Sequence, residues 1–322
     1  MNTKKPKIYF YIDVVGTCNL RCPSCPVGNS TDVVNERGVM SPITLDHILE
    51  KATSECSVTS VGLFNWTEPL LHPRLDEMVR VVKKYGLRCA VSTNLNINKP
   101  GRYRKLLESN PFLLRVSLSG ISQEKYGITH KGGSIVDVLR SMEALTQLKE
   151  ETGSTTHFAV TFHRYLSNLD EESKLKEYCE NLGFIFQPVN ARMHPLEKVL
   201  AYCGESSFSP INQEDEEIIA NLVLPLKQAL ASAALVPAPS CELIERQVTL
   251  NWKGEALLCC AVFDEKRFIS GNFLEESLEN IQARRRHHKV CQICTKYGAS
   301  NYFLANIPHM ELLVAENIRH HC

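Results

Sequence analysis

The sequence alternates short apolar segments with amphipathic ones, and this alternation limits the possible folds more than any other feature. Six segments rich in β-branched and aromatic residues predict strands, because they are short and bounded by polar residues. The predicted strands cover residues 7–15, 58–66, 87–94, 113–119, 157–163 and 184–190. Strands and helices that alternate over short connections form a parallel sheet with helices outside it. The sequence therefore predicts an α/β fold with a partial (β/α)6 TIM-type barrel.

Residues suited to chemistry follow the predicted strands. The stretch "GTCNLRCPSCPVGN" follows the first strand region, and "NWTEP", "STN", "SLSG" and "FHRY" lie at the ends of the second to fifth. In β/α barrels the carboxyl ends of the strands meet at one face, where active sites lie. We therefore expect a single site at that face, built from all of these segments.

Composition and charge exclude several function classes. The 322 residues include 36 Lys and Arg and 36 Asp and Glu, so the formal net charge is +0 at pH 7. This balance gives no reason to expect nucleic acid or an anionic membrane as a partner. No apolar stretch reaches the roughly 20 residues that cross a bilayer, and Asp13 interrupts the apolar N-terminal segment, which argues against a signal peptide. We therefore expect a cytoplasmic protein, whose 13 cysteines stay reduced and serve metal binding or catalysis.

Three cysteines with the spacing C-x3-C-x2-C lie in the loop after the first strand. They are Cys18, Cys22 and Cys25. A tetrahedral zinc site needs a fourth ligand, whereas thiolates at such spacings hold iron–sulfur clusters. Three thiolates on a four-iron cluster leave one iron open to a substrate or cofactor. The alternatives are a chance cluster of cysteines and a zinc loop completed from elsewhere in the chain.

A second set of cysteines lies in the C-terminal part of the chain. Its members are Cys241, Cys259, Cys291 and Cys294. The first two flank a predicted hairpin with its turn at Lys253 and Gly254. Four thiolates close a four-iron cluster completely, and spacing alone leaves a four-cysteine zinc site as the alternative. Cys260 could replace Cys259, but one cluster is not expected to use both, because consecutive strand side chains point to opposite faces.

Taken together, the motifs resemble those of the radical S-adenosylmethionine superfamily, which carries C-x3-C-x2-C after strand one of a partial β/α barrel. The resemblance covers residues 8–190, where "NWTEP", "STN", "SLSG" and "SQEKYGITHKGG" match later family motifs in order. The C-terminal cysteines resemble the one-cluster, or twitch, form of the SPASM auxiliary-cluster domain. The resemblance implies S-adenosylmethionine, two [4Fe-4S] clusters and an electron donor of the flavodoxin or ferredoxin type.

The same resemblance implies which residues bind S-adenosylmethionine. Glu68 would accept the methionine amino group, and His130 stands where the family usually has an arginine for the cofactor carboxylate. Two further departures are Ser24, where an aromatic residue is common, and Thr67, where glycine is. The expected cofactor-binding residues are Thr67, Glu68, Pro69, Ser92, Asn94, Ser117, Ser119 and His130.

A cluster with four protein thiolates has no open iron, so its expected task is electron transfer. This favours an oxidoreductase of the dehydrogenase type. The adenosyl radical would take a hydrogen atom from a carbon bearing OH or NH, a base would remove the heteroatom proton, and the auxiliary cluster would take the remaining electron. The candidate catalytic residues at the barrel mouth are His163, Arg164, Arg192 and His194.

The expected substrate is a small molecule, such as a sugar, aminocyclitol or nucleoside intermediate of natural-product biosynthesis. This follows because the first strand starts near Lys7, which leaves no room for a peptide-recognition domain before the barrel. The alternatives are a redox-neutral epimerase, dehydratase or decarboxylase, and an enzyme that modifies ribosomal peptides.

The expected domains are the barrel at 1–195, a linker with a helix at 196–240, and a cysteine-rich hairpin and helix domain with a C-terminal tail at 241–322. The other cysteines in regular segments are expected to be packing residues. These are Cys56, Cys89, Cys179 and Cys203.

Overall fold

The computed structural model describes residues 5–30, 32–33, 35–97 and 99–321. Six strands pair in parallel in chain order, each within or close to an expected segment. They are β1 (Lys7–Ile12), β2 (Ser57–Gly62), β3 (Cys89–Thr93), β4 (Leu113–Ser117), β5 (His157–Arg164) and β6 (Ile185–Asn190). The prediction of a parallel α/β sheet of the partial-barrel type is confirmed.

Helices connect these strands and cover the sheet. In the barrel part they are α1 (Pro26–Asn29), α2 (Pro42–Glu55), α3 (Leu75–Lys84), α4 (Pro100–Ser109), α5 (Gln123–Thr129), α6 (Ile135–Thr152) and α7 (Glu172–Asn181). The local sequence explains where two of these helices begin and end. At the start of α2, the Ser41 hydroxyl accepts a hydrogen bond from the Thr44 backbone N–H. At the end of α6, Gly153 adopts the left-handed conformation, with φ of 63°.

The C-terminal hairpin extends the same sheet instead of forming a separate one. β7 (Gln247–Leu250) pairs in parallel with β1, and β8 (Glu255–Leu257) and β9 (Ile269–Asn272) follow in antiparallel order. The sheet order is therefore β6-β5-β4-β3-β2-β1-β7-β8-β9. This pairing fixes the cysteine-rich part directly against the first strand of the barrel.

Residues 196–240 contain three helices, where we expected a linker with one. They are α8 (Leu196–Tyr202), α9 (Gln213–Ala220) and α10 (Leu226–Ala234). Pro225 divides the long apolar stretch because a proline cannot continue the preceding helix. The buried side chains of these helices, such as Leu200 and Leu226, share one hydrophobic cluster with Ile244 and Leu258 of the cysteine-rich part.

The remaining helices carry or surround the second cysteine set. They are α11 (Glu242–Glu245), α12 (Glu265–Phe268), α13 (Leu278–Arg286), α14 (Lys289–Lys296), α15 (Ala299–Phe303) and α16 (Met310–His321). Among the described residues, no helix is long and apolar enough to span a membrane.

Candidate active site

A cavity of about 470 Å³ lies at the carboxyl ends of the barrel strands. This position matches the expectation from the strand-end motifs. The expected residues that line it are Cys18, Cys22, Cys25, Thr67, Glu68, Ser92, Asn94, Ser117, Ser119, His130, His163, Arg192 and His194. Pro69 and Arg164 are not among the lining residues.

Backbone and side-chain N–H groups are aimed at the thiols of the first cysteine loop. The Cys18 Sγ accepts hydrogen bonds from the Leu20 N–H at 3.5 Å and from the Asn94 Nδ2 at 3.6 Å. Burial raises the pKa of Cys18 to about 11 and that of Cys22 to about 12. Negative charge on neighbouring groups, such as Glu68, also raises both pKa values. Thiols in such a place ionise only when a cation neutralises them, so this loop fits an iron–sulfur cluster.

A buried carboxylate shapes the loop after β2. Asp13 accepts hydrogen bonds from the backbone N–H groups of Asn65, Trp66 and Thr67, at 2.9–3.2 Å. Successive N–H groups that converge on one carboxylate hold the backbone in a single conformation. Asp13 therefore places the residue that follows, Glu68, at the cavity wall.

Glu68 is 2% exposed and accepts three hydrogen bonds. The donors are the Leu70 N–H at 2.9 Å, the Thr93 Oγ1 at 2.7 Å and the Asn94 N–H at 2.7 Å. Burial raises the pKa of Glu68 to about 7, although these donors act in the opposite direction. A buried carboxylate with its orientation fixed in this way is suited to bind an ammonium group.

The structure gives His130 a different environment from that of a carboxylate-binding arginine. Its Nδ1 lies 2.9 Å from the Thr129 Oγ1, and its ring stacks on Tyr126 at 4.6 Å between centroids. Burial lowers the pKa of His130 to about 3, so the imidazole is neutral. His130 therefore brings no positive charge to the cavity.

Two arginines supply the positive charge that His130 lacks. The Arg115 Nε donates to the Ser92 Oγ at 3.2 Å, and its guanidinium lies 4.8 Å from the centroid of the Phe64 ring. The Arg192 Nε is buried and has no hydrogen-bond partner among the described residues. Glu68 carries the single carboxylate among the described residues that line the cavity. The wall formed by β4 and the segment after β6 is therefore cationic.

The other two histidines that line the cavity are also neutral. Burial lowers the pKa of His163 to about 4 and that of His194 to about 3, and neighbouring Arg192 lowers both further. The His194 Nδ1 has no partner among the described residues. Arg164 points away because adjacent strand residues face opposite sides, and it forms a two-point ion pair with Glu172, with N–O distances of 2.5 and 2.8 Å.

The four cysteines of the second set surround a separate, smaller cavity of about 30 Å³. Cys241, Cys259, Cys291 and Cys294 all line it. The backbone N–H groups of Ala261 and Ser300 lower the pKa of the Cys259 and Cys294 thiols respectively, against the larger effect of burial. Such N–H donors stabilise thiolates, and the donor set fits a four-thiolate cluster.

Cys260 does not line this cavity. Its half-buried thiol interacts with the Gln247 side chain instead. Both cysteines follow β8, which ends at Leu257, so the turn after the strand gives Cys259 and Cys260 different surroundings. The geometry therefore supports Cys259 as the ligand.

An aromatic contact joins the two cavities. Phe303 lines the small cavity and stacks on His194, which lines the large one, at 5.1 Å between ring centroids. Trp66 contacts the same imidazole edge-on at 5.3 Å. A stacked pair of aromatic side chains therefore connects the linings of the two cavities.

Sequence reasoning did not single out Asp13 or Arg115 as site residues, and it included Tyr165 only as part of the "FHRY" segment. The first two could have been found, because each is a charged residue inside an apolar strand segment, "YIDVV" and "LLRVS". Tyr165 lines the cavity, and its hydroxyl lies 2.7 Å from the Ser24 Oγ. It places an aromatic ring beside the position where Ser24 lacks one, and no local pattern pairs residues so distant in sequence.

Comparison with known families agrees with this geometry. Residues 12–166 match the family model of the Radical SAM superfamily, and residues 241–296 match that of the SPASM iron-sulfur cluster-binding domain. The chain belongs to the radical SAM superfamily. Its membership indicates an enzyme, and the two matches cover both sets of cysteines that line the cavities.

Two named proteins are similar in sequence. The chain is 27% identical over 300 residues to the tungsten-containing aldehyde ferredoxin oxidoreductase cofactor-modifying protein of Pyrococcus furiosus, covering 87% of this chain and 82% of that one. It is 23% identical over 206 residues to the 7,8-dihydro-6-hydroxymethylpterin dimethyltransferase of Methanocaldococcus jannaschii, covering 62% of this chain and 40% of that one.

Solved radical SAM structures share the fold. Streptococcus suis SuiB bound to S-adenosylmethionine superposes with a TM-score of 0.59 at 13% identity, over 88% of this chain and 67% of that one. Native anSMEcpe with bound AdoMet superposes with a TM-score of 0.58 at 14% identity, over 98% of this chain and 97% of that one. At these identities the likeness shows the fold alone.

The Glu68→Gln variant tests the binding of the cofactor amino group. The amide keeps the shape of the side chain but removes the charge, and a hydrogen bond to a charged group contributes about 1.5–3 kcal/mol. We therefore expect the Kd for S-adenosylmethionine to rise roughly tenfold to a hundredfold, measured by calorimetry on anaerobically reconstituted protein. Glu172→Gln is the control, because Glu172 pairs with Arg164 outside the cavity. An unchanged Kd in Glu68→Gln would contradict this role.

Proposed function

We propose that the chain is a radical SAM oxidoreductase that removes two electrons from a small molecule, with the auxiliary cluster as electron acceptor. The contact between His194 and Phe303 supports this proposal most directly, because it links the large cavity to the four-cysteine cavity. A redox-neutral reaction has no need for an electron path from the substrate to a second cluster.

When bound, S-adenosylmethionine and the two clusters would supply the radical and electron-transfer chemistry. The residues of the chain would do the rest. Cys18, Cys22 and Cys25 would hold the first cluster, and Glu68 would orient the amino group of the cofactor. The N–H donor of Asn94 at Cys18 keeps the thiolate in place.

Removal of the heteroatom proton falls to a histidine in this proposal. His194 is neutral and its Nδ1 is unpaired among the described residues, so it has a lone pair available. Burial is the main cause of the low pKa of His194, and the cation of Arg192 lowers this pKa further. A negatively charged substrate beside Arg192 would offset the second effect and raise the pKa of His194, which would make it a stronger base.

The substrate that fits this wall carries an anionic group, such as a phosphate or carboxylate. S-adenosylmethionine brings one carboxylate, while Arg115 and Arg192 offer two guanidinium groups. Guanidinium groups bind phosphate and carboxylate by parallel hydrogen bonds. An acidic derivative of a sugar, aminocyclitol or nucleoside meets this requirement, and an electron donor of the flavodoxin or ferredoxin type would reduce the first cluster.

The relatives favour a second candidate, the modification of a cofactor. One of them is named for modifying the cofactor of a tungsten enzyme, and the other for methylating a dihydropterin. A pterin or a related cofactor precursor with an acidic group would meet the same cationic wall. This candidate differs from the first in the substrate and leaves the roles of the cysteines unchanged.

The proposal is tested by single-turnover assays under anaerobic conditions with dithionite as reductant. Phosphorylated and carboxylated sugars, nucleosides and dihydropterins are offered in parallel with their uncharged counterparts. We expect one oxidised product, lacking two hydrogen atoms, for each 5′-deoxyadenosine formed, and only from an acidic substrate. A product at the oxidation level of the substrate would contradict the oxidation, whereas turnover of the uncharged counterparts alone would contradict the anionic substrate.

A further inference from the structure

Three consecutive arginines at the end of α13 have very different surroundings. Arg284 forms an ion pair with Glu276 at 2.6 Å, and Arg286 forms one with Glu245 at 2.6 Å, both partly exposed to solvent. Arg285, between them, is 0% exposed. Basic residues at a helix end are usually solvated, and Arg285 departs from this pattern.

The buried guanidinium of Arg285 binds backbone carbonyl groups. Its Nε donates to the Leu258 carbonyl at 2.7 Å, and its two terminal nitrogens donate to the carbonyls of Gln247 at 2.8 Å and Leu243 at 3.0 Å. One terminal nitrogen also donates to the Gln282 Oε1 at 2.7 Å. None of the ion pairs among the described residues involves Arg285, so its charge has no carboxylate partner.

A buried charge without a counter-charge is costly, so the missing anion has to be supplied by something close by. Leu243 and Leu258, whose carbonyls Arg285 binds, both line the four-cysteine cavity. The Cys291 thiol donates to the Arg285 carbonyl at 3.6 Å. Burial lowers the pKa of the Arg285 guanidinium, and negative charge on the thiols of Cys259, Cys260, Cys291 and Cys241 acts in the opposite direction.

We propose that Arg285 sets the reduction potential of the auxiliary cluster as its buried counter-cation, while its hydrogen bonds hold the segments that carry Cys241 and Cys259. A fixed positive charge beside a cluster favours the reduced form, because reduction adds negative charge. The inference rests on the proposed function, since it requires a cluster at these four cysteines. Arg285 acts through the cluster and is a positioning residue.

The test measures the potential of the auxiliary cluster directly. In a chain with Cys18, Cys22 and Cys25 replaced by alanine, the remaining cluster is titrated electrochemically and followed by electron paramagnetic resonance. The informative variant is Gln282→Glu, which places a carboxylate where the amide oxygen now meets Arg285 and cancels its charge without removing its hydrogen bonds. We expect the equilibrium constant for one-electron reduction to fall at least tenfold, which corresponds to a potential lower by about 59 mV.

Two more variants separate the charge of Arg285 from its hydrogen bonds. Arg285→Lys keeps the charge and is expected to stay closer to the parent potential than Gln282→Glu does. Arg286→Gln removes a charge of the same helix at the surface and is expected to leave the potential unchanged, because solvent screens exposed charges.

The outcomes distinguish the inference from the proposed function. If the background chain binds no iron, the auxiliary cluster and the proposed function fail. If it binds iron, but Gln282→Glu has the same potential as Arg286→Gln, the charge role of Arg285 is overturned while the cluster remains. If Arg285→Lys loses its iron, Gln282→Glu still tests the effect of the Arg285 charge on the potential, because this variant retains Arg285.

Discussion

Replacement of Cys18, Cys22 and Cys25 by alanine is expected to lower the iron content after anaerobic reconstitution from about eight to about four per chain. The three thiols line the large cavity, and they are the only expected ligands of the open cluster. Formation of 5′-deoxyadenosine from S-adenosylmethionine should fall below detection in this variant, because reductive cleavage requires an iron atom that binds the cofactor. Iron is measured by colorimetry, and 5′-deoxyadenosine by chromatography with mass detection.

A matched control is available in Cys203, which ends α8 and lines neither of the two cavities. Cys203→Ala should retain about eight irons per chain and unchanged cleavage. Zinc in place of iron in the parent protein would contradict the cluster at this loop. Cleavage that persists in the triple variant would place the reaction at another site.

Cys259→Ala is expected to lose the auxiliary cluster and to leave the first cluster intact, with about four irons per chain remaining. Cofactor cleavage should continue, because the large cavity keeps its three thiols. Formation of the oxidised product should be lost, since the remaining electron of the substrate then has no acceptor. The ratio of oxidised product to 5′-deoxyadenosine, measured in one turnover, shows whether cofactor cleavage continues without oxidation of the substrate.

Cys260→Ala is the natural comparison for this variant. The two residues are adjacent, but only the first lines the four-cysteine cavity, while the thiol of Cys260 interacts with Gln247. Cys260→Ala should therefore keep about eight irons per chain and full coupling of cleavage to oxidation. The opposite result, with iron lost in Cys260→Ala and kept in Cys259→Ala, would exchange the assignments of the two residues.

Much of the fold could be predicted from sequence because the relevant interactions are local or periodic. The strand segments are bounded by polar residues, and the spacing of Cys18, Cys22 and Cys25 lies within one loop. The parallel order of β1 to β6 follows from short β/α connections. The joining of β7 to β1 was not predictable, because it pairs strands separated by most of the chain.

The candidate site likewise contains features that the sequence predicted and features that only the packing of the chain decided. His163 and Arg164 are neighbours in sequence, and the direction of each side chain depended on the strand register, which placed one in the cavity and the other beside Glu172. His130 was expected to meet a carboxylate, and burial against Tyr126 left it neutral. In both cases the chemistry depends on which side chains are buried, and burial depends on how the strand or helix packs against the rest of the barrel.

By itself, the sequence determined the β/α alternation, the two sets of cysteines and the order of the strand-end motifs, because each depends on residues close together in the chain. Only the tertiary structure decided that His194 meets Phe303 between the two cavities, and that Arg285 is buried while Arg284 and Arg286 are not. The physical reason is that burial and the pairing of charges depend on packing between distant segments, and a local pattern such as three consecutive arginines is the same whichever of them faces the core.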